Sequence, residues 1–201
     1  MSACAEDNVG SSPAGRNVTG PILIALALVA GLLLLAIATY NGLVRRANRV
    51  DSTWSDIDVL LRRRHDLIPN LVAAVQGYAG HESAALRAVA DSRAAAVAAQ
   101  GPVARGDAES TLSGGVKTLL AVAEAYPDLK ASTSFVDLQV KLTDTEDGLA
   151  HARQFYNDAV FAYNTAVQTL PGNLVAGASG FRARQLFQAA SDERPAGQVR
   201  I

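Results

Sequence analysis

The sequence predicts an all-α protein: one N-terminal transmembrane helix followed by an antiparallel, up-and-down four-helix bundle with two long and two shorter members. Three observations predict it. Residues 22–39 are apolar apart from Gly31 and Thr39. Beyond them, apolar residues recur at alternating spacings of four and three, the period of one helix face. Almost no stretch shows the strict alternation of a half-buried β-strand.

The first element is the span. About 20 apolar residues rising about 1.5 Å each cover a hydrocarbon core of roughly 30 Å, and Pro21 and Tyr40 extend the run at either end. A cleaved signal peptide has a shorter apolar centre, of about 7 to 15 residues, and a small-residue cleavage pattern that residues 40–49 do not offer. Tyr40 reads as an anchor at the membrane–water interface. Arg16 is the one basic side chain before the span, beside Glu6 and Asp7, whereas Arg45, Arg46 and Arg49 follow it. Positive charge stays inside, so the expected topology has the N-terminus outside and residues 41–201 in the cytoplasm. The three arginines have two readings: contacts to anionic lipid headgroups, and topology determinants only. Three charges fall short of the roughly 4 to 8 that mark lipid-binding clusters.

The bundle elements follow. Leu43, Ala47, Val50, Trp54, Ile57, Leu61, Arg64, Ile68, Leu71, Val75 and Tyr78 form one stripe, broken by Arg64 alone. Phe135, Leu138, Leu142, Thr145, Leu149, Ala152, Tyr156, Ala159, Tyr163, Ala166 and Leu170 form a second. Each predicts a long helix whose narrow seam needs a partner with a matching seam. Between them, residues 81–100, with Leu86, Val89 and Val97, and residues 107–126, with Leu112, Val116, Leu119, Ala123 and Tyr126, predict two shorter helices. Helix breakers cluster at 77–80, at Gly101-Pro102 with Gly106, at Pro127-Asp128 and at Pro171-Gly172. Short connections make neighbouring helices antiparallel. Four regions result: a short disordered N-terminus (1–20), the span (21–40), the bundle (41–187) and a disordered C-terminal tail (188–201).

Composition narrows the function. Lys plus Arg number 18 and Asp plus Glu 19; removing Arg16, Glu6 and Asp7 leaves 17 of each beyond residue 40. A nucleic-acid binder needs a basic excess or stripe, so no nucleic-acid partner is expected. The lone Cys4 excludes an internal disulfide and a cysteine-based zinc site. His65, His81 and His151 are the only histidines; none makes an i, i+4 pair, and the paired Glu-x-x-His motifs of a metal-binding bundle are missing. His65-Asp66 with Pro69 falls one residue short of a sensor-kinase phosphoacceptor box, and no Gly-rich nucleotide site follows. No Gly-x-Ser-x-Gly elbow exists for a serine hydrolase. No cofactor, metal or catalytic residue is expected, and the chain is read as a non-enzyme.

Particular residues carry a family resemblance. Tyr40-Asn41-Gly42-Leu43-Val44, Asn48-Arg49-Val50-Asp51 with Trp54-Ser55, the run Arg63-Arg64-His65-Asp66-Leu67-Ile68-Pro69-Asn70-Leu71-Val72, and Gly77-Tyr78-Ala79 with His81-Glu82 resemble the first helix of the bacterial LemA family. Tyr126-Pro127-Asp128-Leu129-Lys130, Phe135, Leu138, Thr145-Glu146-Asp147, Phe155-Tyr156-Asn157, Tyr163-Asn164 and Phe181 continue it in order. The likeness covers residues 40–187. It implies a single N-terminal anchor and a helical bundle, and it supplies no catalytic residue; the expected location is a bacterial plasma membrane. A magnetosome-associated branch resembles the same family; no motif here assigns the chain to it.

Two polar positions stand out. Arg64 lies on the core-facing stripe, where an unpaired charge is several kcal/mol unfavourable. With the long helices antiparallel and their middles matched, Asp147, or Glu146 beside it, is the expected partner in a structural ion pair that fixes register. Pro69 inside a helix removes one backbone hydrogen bond, at about 3 kcal/mol. It is read as a helix kink; the alternative is that the freed His65 carbonyl forms a polar contact point. The expected role is a membrane-tethered scaffold or adaptor whose partners are the lipid bilayer and another protein, with self-association also open. The alternative is a membrane-organising protein acting on anionic lipid through the arginine flank and the segment containing Phe181, Leu186 and Phe187.

Overall fold

The computed structural model describes residues 19–187; Cys4, residues 1–18 of the expected disordered N-terminus and the expected tail 188–201 lie outside them, whereas Thr19 and Gly20, expected to be disordered, begin a helix. Among the described residues there are six helices and no strand: α1 (Thr19–Tyr78), α2 (Ser83–Ala98), α3 (Pro102–Ala123), α4 (Pro127–Lys130), α5 (Thr133–Gln168) and α6 (Gly172–Ser179).

The span and the first bundle helix are one helix. α1 has 60 residues, about 90 Å at about 1.5 Å per residue, and it crosses the expected boundary at 40/41 without a break. Its N-terminal third is long and apolar enough to cross a membrane. Leucine, isoleucine and valine side chains there point outward on every side, as lipid-facing residues do. From Leu43 onward the stripe turns inward. Leu43, Val50, Ile57, Leu61, Arg64, Ile68, Leu71 and Val75 are buried, with Ala79 taking the place expected for the exposed Tyr78.

α5 supplies the matching seam. Trp54 meets Tyr156, with ring centroids 5.2 Å apart; Leu60 lies over Gly148; Arg64 reaches Glu146. Positions rising along α1 thus meet positions falling along α5. The α5 seam drifts at its end, where Val160 is buried and Leu170 lies beyond the helix and exposed. A strict heptad drifts about 20° per repeat on a straight helix, which accounts for the loss of register.

The apolar interior falls into two parts. Toward the apolar third of α1, Val50, Ile57 and Leu61 pack on Leu149, Ala152, Tyr156, Val160 and Tyr163, with Phe187 closing the cluster. Farther out, Ile68, Leu71 and Val75 pack on Leu86 and Val89 of α2, Leu112, Val116 and Leu119 of α3, Leu129 of α4, and Phe135 and Leu142 of α5. The apolar residues of α2 and α3 therefore pack only on the outer part, and residues 181–187 take their place nearer the apolar third of α1.

Three boundaries differ from the sequence reading. α3 begins at Pro102 rather than 107, because Gly101, at φ 81°, turns the chain and Pro102 occupies the first helical turn, where its missing N–H costs nothing. Gly106, expected as a breaker, is buried inside the helix. α4 and α6 replace what read as plain turns after Pro127 and Pro171. Gly172 is required there: a Cβ would lie 1.9 Å from the Ala166 carbonyl oxygen.

Candidate functional site

Between the two apolar clusters lies a buried polar layer. Arg64 stands on α1 between Leu61 and Ile68, and α5 contributes Thr145 and Glu146 between Leu142 and Leu149. α3 contributes Glu109 and Ser113. Arg64 and Glu109 are both fully buried. The guanidinium Nη1 donates to Glu109 Oε2 at 2.7 Å, and Nη2 donates to Ser113 Oγ at 2.7 Å and lies 2.6 Å from Glu146 Oε1. The other Glu109 oxygen lies 2.7 Å from His65 Nε2. An ionised carboxylate only accepts, so His65 carries a proton on Nε2. Arg64 Nε has no hydrogen-bond partner.

Of the two expected partners of Arg64, Glu146 pairs with it and Asp147 does not, and the buried partner is Glu109 of α3. The stripe positions 142, 145 and 149 place 146 on the inner face. At about 100° per residue, position 147 turns away, and Asp147 is exposed. The sequence reading missed Glu109, although a signal for it existed: it precedes Leu112 by three, extending the 112, 116, 119, 123 stripe by one step in register.

Pro69 takes part indirectly. Its ring leaves the His65 carbonyl without the usual donor four residues on, and α1 continues through it. Arg93 Nε of α2 donates to that oxygen at 2.7 Å. The polar contact point, the less favoured sequence reading, is thus present, and it ties α2 to the same height as the layer. His65 belongs to this ion-pair network with little exposure, unlike an accessible phosphoacceptor. His81 and His151 are exposed and far apart in sequence. Among the described residues no group of three His, Cys, Asp or Glu is arranged to hold a metal ion.

A second polar arrangement holds residues 181–187. Asn164 Nδ2 donates to the Arg184 carbonyl at 2.9 Å, and its Oδ1 accepts from the Arg184 N–H at 2.8 Å. Asn157 does the same with Phe187, at 3.2 Å and 2.8 Å. The two asparagines are seven residues apart on α5, about 10.5 Å along the helix, and hold main-chain positions three residues apart, 184 and 187. Tyr156 Oη donates to the Gln185 carbonyl at 2.9 Å. Burial raises the Tyr156 phenol above its ordinary value, with Arg184 opposing and Asp51 adding to the shift.

This clamp redirects the C-terminal aromatic residues expected to meet lipid. Phe187 is buried, 6.1 Å from Trp54 and 4.9 Å from the Arg153 guanidinium. Phe181 packs on Tyr40 at 5.7 Å. Phe187 is fixed from α5 by Asn157, and Phe181 by its N–H bond to the Ala176 carbonyl of α6. Trp54 also carries Arg105 of α3 over its ring at 5.3 Å, and Arg105 pairs with Asp58. Arg45, Arg46 and Arg49 are exposed on α1 beyond Tyr40.

Comparison with known proteins places this geometry. Magnetosome protein MamQ 1 of Paramagnetospirillum magneticum is 26% identical, over 96% of this chain and 78% of its own length. Magnetosome protein MamQ of Magnetospirillum gryphiswaldense is 26% identical over 92% and 78% respectively. Protein LemA of Metamycoplasma hominis is 25% identical over 77% and 71%. The LemA family model matches residues 53–201, which takes in the polar layer and both asparagine clamps. The protein belongs to the LemA family.

Proposed function

We propose that this protein is a non-catalytic, membrane-tethered scaffold or adaptor that presents a helical bundle to protein partners at the bacterial plasma membrane. The observation that carries this reading is the unbroken passage of α1 from an apolar, outward-facing stretch into the bundle core. The polar groups of the buried layer are engaged with one another, which suits a structural lock better than chemistry on a substrate. The bundle has α1, α2, α3 and α5 as its up-and-down members. The opposed order of contacts between α1 and α5 supports that arrangement. Phe155 and Phe161, exposed on α5, are aromatic anchors of the kind interfaces use.

The charge flank supports an N-terminus outside and a cytoplasmic bundle. The test is photo-crosslinking in cells from probes placed at Phe155 and Phe161. Specific protein neighbours support the scaffold; capture no greater than that from a buried position such as Leu149 overturns it. Labelling Cys4 with a membrane-impermeant maleimide in intact cells tests the orientation: labelling places the bundle inside, and labelling only after lysis places it outside.

A second reading, action on anionic lipid, rests on the exposure of Arg45, Arg46 and Arg49. Each headgroup-facing basic residue contributes about 1 kcal/mol. Salt-sensitive preference of the reconstituted protein for phosphatidylserine over phosphatidylcholine, abolished by replacing all three with Gln, supports it.

A further inference from the structure

We propose that α6 is a second membrane element, an interfacial helix immersed in the boundary between headgroups and acyl chains alongside the span. The inference rests on the reading of α1 as a membrane-spanning helix. The place where α6 packs carries it. Leu174, Val175 and Ala178 of α6 line a shallow apolar groove with Ala36, Ile37 and Tyr40 of α1. Ala36 and Ile37 belong to the apolar run that the bilayer covers, and Tyr40 marks its edge. Three residues of helix separate Ile37 from Tyr40, about 4.5 Å, so α6 sits about a turn below the interface. Interfacial helices bury their apolar face about 5–10 Å into this boundary.

The local chemistry agrees with that depth. No charged side chain occurs from Ala159 to Phe181, and Arg182 and Arg184 follow at once. Leu170 and Leu174 are 73% and 68% exposed, more than most leucines of the span, such as Leu35 at 51%. Two large, exposed aliphatic side chains, one on the turn before α6 and one on α6 at the edge of the groove it shares with the span, have acyl chains as their natural solvent. The backbone is organised for it: Gly180, at φ 76°, closes α6 in the left-handed conformation, which glycine adopts without strain. The Phe181 N–H returns to the Ala176 carbonyl at 3.1 Å. The chain then rises along α5 under the Asn164 and Asn157 clamps. The occupant of the exposed α6 face is therefore the bilayer, continuous with the lipid around α1.

The test uses the full chain reconstituted in phosphatidylcholine vesicles. Cys4→Ser removes the native thiol, and a single cysteine is placed at Leu174 or, as a reference inside the span, at Leu28; each carries an environment-sensitive fluorophore. Neither site is buried, so neither label disturbs the core. The expected result at 174 is a blue-shifted emission quenched most by lipids spin-labelled near the headgroup, while the probe at 28 is quenched most by lipids labelled near the acyl terminus. A water-like, unquenched probe at 174 with normal quenching at 28 overturns the immersion of α6 and leaves the span standing. Loss of quenching at both sites overturns the span and the inference together. Blue-shifted emission at 174 that no lipid quenches shows a protein cover, such as a second copy, and also overturns the inference.

Discussion

Replacing Arg64 by Met tests the polar layer most directly. The methionine keeps an unbranched stem of similar length, so the cavity is small and the change is chiefly the loss of the guanidinium. Glu109 then stays fully buried, with its contact to His65 left but no guanidinium beside it. Glu146, whose side chain is 39% exposed, returns to water at little cost. Breaking a buried pair from one side costs about 3–5 kcal/mol, and the solvent access of Glu146 puts this case at the lower end, about 3 kcal/mol. For a chain of this size that lowers Tm by about 6–12 °C. The measurement is urea unfolding of the full-length protein in detergent micelles, followed by Trp54 fluorescence and helical circular dichroism. The second arm is Arg64→Met with Glu109→Met. Exchanging a buried ion pair for apolar groups of similar volume is often neutral or stabilising. The double variant should therefore recover to within about 1 kcal/mol of the parent, a coupling of about 2 kcal/mol or more. An Arg64→Met protein within about 0.5 kcal/mol of the parent, in the range of a surface change, refutes the account of the layer.

Arg93→Met removes the donor that serves the His65 carbonyl and should cost about 1.5–3 kcal/mol, the range for a hydrogen bond with a charged partner. Adding Pro69→Ala restores a backbone N–H to that oxygen and should recover much of the loss in the same urea titration. Asn157→Ala and Asn164→Ala each remove two bonds to the main chain of residues 181–187 and should cost about 1–2 kcal/mol, read as faster amide exchange at Arg184 and Phe187. Stability should also fall in alkali. The folded Tyr156 phenol titrates above its unfolded value of 10.0, so its contribution is fully present below pH 10 and is lost as pH rises through the folded value. Tyr156→Phe should flatten that alkaline decline, measured as Tm against pH.

The long helices, their seams and the span were legible because each rests on a repeating pattern over many residues. The polar layer was half legible. Arg64 declared itself by breaking an apolar stripe, and antiparallel register pointed to positions 146 and 147, but Glu109 sat at the edge of a short helix taken to begin near it. A charge that continues a stripe looks like the end of the stripe unless the partner charge is sought. The Asn157 and Asn164 clamps left no hydrophobic signature, although the Tyr-Asn pair repeats at a spacing of seven. α6 was hidden for a different reason: Pro171-Gly172 reads as a turn, and eight residues are too few for a helical period to emerge from sequence.

The continuity of α1 fixes more than attachment. Arg64 lies 24 residues beyond Tyr40 and Tyr78 lies 38 beyond, heights of about 36 Å and 57 Å above the interface if the helix stands upright. With no loop between span and bundle, the bundle's height is indexed to the apolar segment and its bearing to the faces of the span. A single residue inserted after Tyr40 would lift the bundle by about 1.5 Å and swing it by about 100°, turning α5 and its exposed aromatics to another compass direction. Seven would restore the bearing to within about 20° while raising the bundle by about 10 Å. A partner held in the same membrane would meet a surface whose elevation and heading are set by the count of residues in one helix.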